Sequence, residues 1–166
     1  KDFEPGNRGR VLGILADLIQ VDPLYEKAVE AVLADKLQYV ITMTKNDAAA
    51  AVRYLKEKAR GIGSFAPLDD LVYSFKKSKT HSEFIPLANF VSTSKEIEPL
   101  ISDILCNTVL ADDVQTALSA SGKHGGTLCF VTLEGDVLDQ RGVITGGRLS
   151  HTSRGLLARK REIVDL

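Results

Sequence analysis

The stretch Thr127–Arg148, TLCFVTLEGDVLDQRGVITGGR, decides how this chain is read. Its first seven residues, Thr127–Leu133, have the apolar, β-rich composition of a buried strand. Glu134-Gly135-Asp136 supplies a hairpin turn, because the glycine can take the positive φ that a tight reversal asks for, and VLDQRGVI returns beyond it. The stretch then sets a β-branched trio, Val143-Ile144-Thr145, between Gly142 and the pair Gly146-Gly147, with Arg141 and Arg148 outside them. A short strand flanked by glycines marks either a bulge or a place where a second backbone comes close. An exposed strand of this kind can also pair with another chain. On the residues alone the internal bulge is the simpler reading, and both stay open.

A phosphate cradle is the third reading of the same glycines. Gly142 and Gly147 have the spacing of a phosphate-binding loop, but Arg148-Leu149 stands where Lys-Ser/Thr would neutralise the phosphates and bind magnesium. The segment that follows, RLSHTSRG, is polar and glycine-containing and does not read as a helix N-terminus able to hold a pyrophosphate. A small nucleotide-binding domain using this loop is therefore the alternative rather than the leading function.

Working outward, the chain repeats one order of elements. Asp22 and Pro23 read as the N-cap and first turn of a helix whose apolar positions, Ala28, Val29, Val32, Leu33 and Leu37, recur at helical spacing. Tyr39–Thr44 follows as a strand; Asn46 and Asp47 cap the alanine-rich helix AAAAVRYLKEKA, which ends at Arg60-Gly61 before the strand GSFAPL. In the second half Glu96–Cys106 is a helix and NTVLA a strand, and Asp112-Asp113 caps VQTALSAS before the buried strand TLCFVTL. Two copies are too few for a solenoid, so the expected fold class is α+β, with two packed helix/strand subdomains and mixed sheets. The polar run Asp69–Phe84, with Lys76, Lys77, Lys79 and His81, reads as a linker or exposed loop.

Composition bounds the function. Of 166 residues 44% are apolar and 26% charged, an ordinary globular profile, and the net charge of −1 confines any nucleic-acid site to a local cluster. Cys106 and Cys129 lack ligand spacing and read as buried, reduced thiols of a cytosolic protein; His81, His124 and His151 read as surface residues. No catalytic set, metal set or membrane-length apolar run stands out. The cations that do cluster are Arg148, Arg154, Arg159, Lys160 and Arg161, either a phosphate-binding surface or a solvated helix face. Leu156/Ile163 and Leu157/Val164 are each seven apart, one heptad of spacing, and the ends of the sequence read as cut from a longer helical chain.

Together, VLGILADLIQVDPLYEKAVEAVLADKLQYVITMTKNDAAAAVRYLKEK, GSFAPL, TLEGDVLDQRGVITGGR and LLARKREI resemble the hinge domain of bacterial-type structural maintenance of chromosomes (SMC) proteins. The resemblance implies the end of a coiled-coil arm at 1–10, a first hinge subdomain at 11–75, a linker at 76–86, a second subdomain with the glycine-rich motif at 87–150, and the returning arm from 151 to 166. It implies a dimerisation hinge in a chromosome condensation and segregation protein, joined to a second hinge, most simply as a homodimer. The interface would be carried by Gly142, Val143, Ile144, Thr145, Gly146 and Gly147, whose glycines let two backbones meet. It also implies sequence-independent DNA binding through Arg148, Arg154, Arg159 and Lys160, with Lys56 as an addition. Arg141 stands where the family commonly has another glycine, and a cross-interface ion pair is the role open to it. No cofactor and no enzyme activity are expected of this piece. The parent protein would be a cytoplasmic, nucleoid-associated ATPase whose heads lie elsewhere.

Overall fold

The computed structural model describes residues 11–69, 83–124, 126–147 and 156–164. In chain order its elements are β1 (Val11–Ile14), α1 (Leu15–Leu18), β2 (Ile19–Val21), α2 (Glu26–Leu33), β3 (Val40–Thr42), α3 (Lys45–Glu57), β4 (Phe65–Pro67), β5 (Val91–Thr93), α4 (Glu98–Ile104), β6 (Thr108–Leu110), α5 (Val114–His124), β7 (Cys129–Val131), β8 (Val137–Leu138), β9 (Ile144–Thr145) and α6 (Leu156–Val164). The repeated order becomes two parallel β–α–β units. In the first, α3 connects β3 to β4, with Val40 opposite Phe65; in the second, α5 connects β6 to β7, with Thr108 opposite Cys129. Each unit is extended by antiparallel strands, giving a sheet of order β1-β3-β4 and another of order β6-β7-β8-β9. This is the mixed-sheet α+β architecture expected.

The halves are joined by a ladder and by a shared core. β2 pairs antiparallel with β5 from Ile19–Thr93 to Val21–Val91, and Tyr25 stacks on Phe90 with ring centroids 3.7 Å apart. The larger apolar cluster takes Leu15, Val29, Leu33 and Ile41 from the first half and Leu100, Ile101, Leu105 and Val131 from the second. A smaller cluster around Phe130, Leu128 and Leu138 lies under α5, with Phe84 edge-on to Phe130 at 5.3 Å.

Local boundaries differ from the expected ones for identifiable reasons. Asp22 does cap, its Oδ1 accepting from the Leu24 N–H at 2.9 Å, but it closes a turn, and α2 starts only at Glu26. The helical spacing that runs on to Leu37 is interrupted at Ala34, whose φ is +46, and a 3-10 turn then carries Leu37 into the core. At α3 the N-cap is Thr44 rather than Asn46 or Asp47. Thr44 Oγ1 accepts from the Asp47 N–H at 3.1 Å while Asp47 Oδ2 accepts from the Thr44 N–H at 3.2 Å, a reciprocal capping box. Thr44→Ala is expected to lower stability by about 1 kcal/mol, read by urea unfolding. Asp69, at the start of the run read as a linker or exposed loop, adds a second cap: its Oδ1 accepts from the Lys45 N–H at 3.0 Å. Asp113 caps α5 as expected, accepting from the Thr116 N–H at 2.7 Å.

Two expectations about single residues are corrected. Cys106 is exposed rather than buried, because it falls in the turn after α4. The His124 side chain is only 18% exposed, edge-on to Phe84 and 3.6 Å from the Glu83 carboxylate, because the last turn of α5 folds against residues 83–84. His81, His151, Lys76, Lys77 and Lys79 lie outside the described residues.

Candidate functional site

The hairpin predicted at Glu134–Asp136 forms. The Gly135 N–H donates to Thr132 O at 3.0 Å and the Thr132 N–H to Asp136 O at 2.9 Å, which returns β8 against β7. A second hairpin follows, and this one contains the glycine motif. β8 pairs antiparallel with β9, Val137 opposite Thr145 and Leu138 opposite Ile144, so β9 is the outermost strand of its sheet. The segment is therefore strand–turn–strand, with Gly142 in the turn, and not the strand–loop–helix of a phosphate cradle. Val143 is 55% exposed and Ile144 50% exposed.

The turn between β8 and β9 is organised by one carboxylate. Asp139 Oδ1 accepts from the backbone N–H groups of Arg141 at 2.8 Å and Val143 at 2.9 Å. Arg141 also returns its guanidinium to Asp139 at 3.4 Å, an ion pair within the turn. The Val143 N–H, followed by the Arg141 N–H and guanidinium, holds the Asp139 carboxyl below its ordinary value of 3.8. A depressed folded-state value means the contribution is present above the unfolded-state value and is lost as pH falls through the folded-state one. The protection factor of the Val143 amide should therefore drop on acidification below about 3.8. In Asp139→Asn that pH dependence should disappear, as hydrogen exchange can show.

The glycines have reasons internal to the chain. Gly142 has φ +85 and Gly147 φ +121, conformations unfavourable to any side chain, while a Cβ on either would otherwise meet open space. Gly146 is different, since a Cβ there would overlap Asp136 Oδ1. Among the described residues no strand pairs with the outer edge of β9.

A second edge has a similar character. β4 ends the other sheet, and the segment leading into it, Arg60-Gly61-Ile62-Gly63-Ser64, repeats the Arg-Gly-aliphatic pattern of Arg141-Gly142-Val143. Gly61 has the same φ of +85 as Gly142, and Ile62 is fully exposed at 103%. The opposite ends of these two sheets are blunted: β1 has a register shift between Val11 and Gly13, and β6 is covered where Leu110 N donates to Ile85 O and Pro86 bridges to Val109.

The family model "SMC proteins Flexible Hinge Domain" matches residues 8–121. The chain belongs to this hinge-domain family. It is 36% identical over 160 residues to the chromosome partition protein Smc of Myxococcus xanthus (strain DK1622), covering 94% of this chain and 13% of that protein. With its counterpart from Bacillus subtilis (strain 168) it shares 30% identity over 165 residues, covering 95% of this chain and 14% of the relative. The chain thus spans about one seventh of the length of these relatives. Among solved structures, the asymmetric dimer of the Geobacillus stearothermophilus SMC hinge domain superimposes with a TM-score of 0.81 at 26% identity, over 94% of this chain and 65% of that one. The Pyrococcus furiosus SMC protein hinge domain gives 0.71 at 29% identity, over 88% and 80%.

On this hinge domain the predicted basic residues separate. Arg148 and Arg154 lie outside the described residues, and of Arg159 only its place in α6 is described. Lys160 does not face solvent with its ammonium: Nζ donates to the backbone oxygens of Ala16, Asp17 and Ile19 at 3.0, 2.9 and 2.8 Å. Arg161 is bonded to Glu26 at 3.0 Å. Lys56 is exposed on α3, and it has company the sequence reading did not single out: Arg53, Lys58 and Arg60 are exposed beside it, four cations against the single carboxylate of Glu57. The signal was present as the run R-Y-L-K-E-K-A-R, but its concentration at one helix end appears only once α3 is placed. Among the described residues no helix is long and apolar enough to cross a membrane, and no cluster of His, Cys, Asp and Glu is arranged to hold a metal ion.

Proposed function

We propose that this hinge domain joins two copies of the chain by strand pairing at two sheet edges. β9, with Val143–Gly147, of one copy lies against the segment Gly61–Phe65 of the other, and the two-fold axis repeats the seam. The observation that carries this reading is the coincidence of strands left at sheet edges among the described residues with exposed aliphatic side chains, Ile62 shortly before β4 and Val143 and Ile144 at β9. Edge strands invite pairing, and large side chains left in water beside them favour it. A two-fold operator using two different edges closes on itself and stops at the dimer. The Geobacillus stearothermophilus hinge domain is a dimer, an asymmetric one, which supports association of two copies though not the two-fold repeat of the seam. Sedimentation equilibrium of the isolated chain tests it: a dimer mass at micromolar concentration is expected, and a monomer mass would exclude it.

The domain also offers a phosphate-binding surface. Arg53, Lys56, Lys58 and Arg60 supply it on α3, with Arg148, Arg154 and Arg159 as the further contacts predicted from sequence. Contacts of this type are to the backbone of DNA and do not read its sequence. In this reading the chain is the non-catalytic hinge of a chromosome partition protein, at work on the nucleoid in the cytoplasm, and ATP hydrolysis belongs to other parts of the parent.

A further inference from the structure

We infer that Lys160 is a positioning residue that latches α6 onto α1, fixing the direction in which α6 leaves the domain, and is not a contact for phosphate. The reason lies in α1. This helix is a single turn, and the chain passes straight from it into the extended strand β2, so its last carbonyls have no amide four residues on to accept from. Ala16 and Ile19 are buried, where an unmet carbonyl is costly. The oxygens of Ala16, Asp17 and Ile19 converge on the Lys160 ammonium, one for each of its three protons, and Leu18 O accepts from Thr93 Oγ1 at 2.7 Å. The four consecutive carbonyls from Ala16 to Ile19 are thus each met by a side chain from far along the sequence.

Two further contacts fix the same helix on its neighbouring face. Glu30 Oε1 accepts from the Leu157 N–H at 2.6 Å, so a carboxylate of α2 caps the N-terminus of α6. One turn away on both helices, Glu26 accepts from Arg161. Residues 26 and 30 therefore hold 161 and 157, which sets α6 antiparallel to α2 in one register, while Leu157 enters the main core cluster. The Glu26–Arg161 pair contributes register more than net stability, since burial pushes the Glu26 carboxyl above its ordinary value despite the arginine beside it. Lys160 supplies the contact to α1, and through α1 a rotation of α6 is carried into β2 and its ladder with β5.

Lys160→Met separates this role from a DNA contact. The variant should lose at least about tenfold in hydrogen-exchange protection at the α6 amides while α3 and β7 stay as protected as in the parent chain. Its affinity for a short mixed-sequence DNA duplex, and the slope of that affinity with salt, should stay unchanged. Unaltered α6 protection would overturn the inference. So would a salt slope flattened by about 0.9, the signature of one lost phosphate contact. If the methionine variant does not fold, Lys160→Gln, which keeps two donors, should fold with intermediate α6 protection; full protection there would equally overturn the latch.

Discussion

Ile144→Asp is expected to turn the dimer into a monomer while leaving the fold intact. Ile144 is half exposed on an edge strand, so a carboxylate at this position costs the isolated chain little. In the dimer the same side chain would sit in a seam between two backbones, where an unpaired charge is strongly unfavourable. Two-fold symmetry places the substitution in both seams at once. Losing burial of the exposed half of Ile144, about 1 kcal/mol per seam, gives about 2 kcal/mol in all, roughly thirtyfold in Kd, before desolvation of the carboxylate is added. Sedimentation equilibrium should therefore show a monomer at concentrations where the parent chain is dimeric, with a far-UV circular dichroism spectrum like that of the parent. Glutamates at Gly146 and Gly147 would be a poorer choice, because a side chain at Gly146 collides with Asp136 and one at Gly147 meets an unfavourable φ. Loss of dimer there would not distinguish a broken interface from a broken hairpin.

The second large effect is expected from reversing charge on α3. Arg53→Glu together with Lys56→Glu alters two exposed cations that no acidic group among the described residues pairs with. Affinity for duplex DNA should fall, and the slope of log affinity against log salt should flatten by about 1.8, two phosphate contacts at about 0.9 each. Both side chains face solvent, so stability should change by less than about 0.5 kcal/mol. An unchanged slope would remove α3 from the DNA surface and leave the cations beyond Gly147 to account for any binding.

Much of the fold was legible in the sequence because its signals are local. The β-rich run Thr127–Leu133, the turn at Gly135 and the cap at Asp113 each declare themselves within a few residues, and each stands where expected. Boundaries were less legible where two residue types compete for one task. Thr44, Asn46 and Asp47 all favour helix starts, and only the reciprocal bonds between Thr44 and Asp47 show which is the cap and which is its partner. The candidate interface is half legible: the glycines around Val143 draw notice, whereas Ile62, on a segment of the same pattern, falls between the end of a helix and the strand GSFAPL with no local signal of its own.

Lys160 marks where sequence reading had no purchase. It stands in the run A-R-K-R-E, which reads as a solvated or DNA-facing cluster, while the carbonyls that hold it are more than 140 residues earlier. A backbone oxygen has no sequence signature, so no pattern of residue types could pair Lys160 with Ala16. Arg141 is the converse case. Its partner Asp139 is two residues away, and the Asp-x-Arg-Gly order of a carboxylate closing a turn was there to be read.

Whether β9 meets the segment before β4 of a second copy is decided by Ile62→Asp. Ile62 stands in the segment before β4, away from the β9 hairpin, and is fully exposed, so its replacement affects association by lying in the seam. Sedimentation equilibrium of Ile62→Asp beside the parent chain should show the variant as a monomer where the parent is a dimer. An Ile62→Asp chain as fully dimeric as its parent would contradict the account.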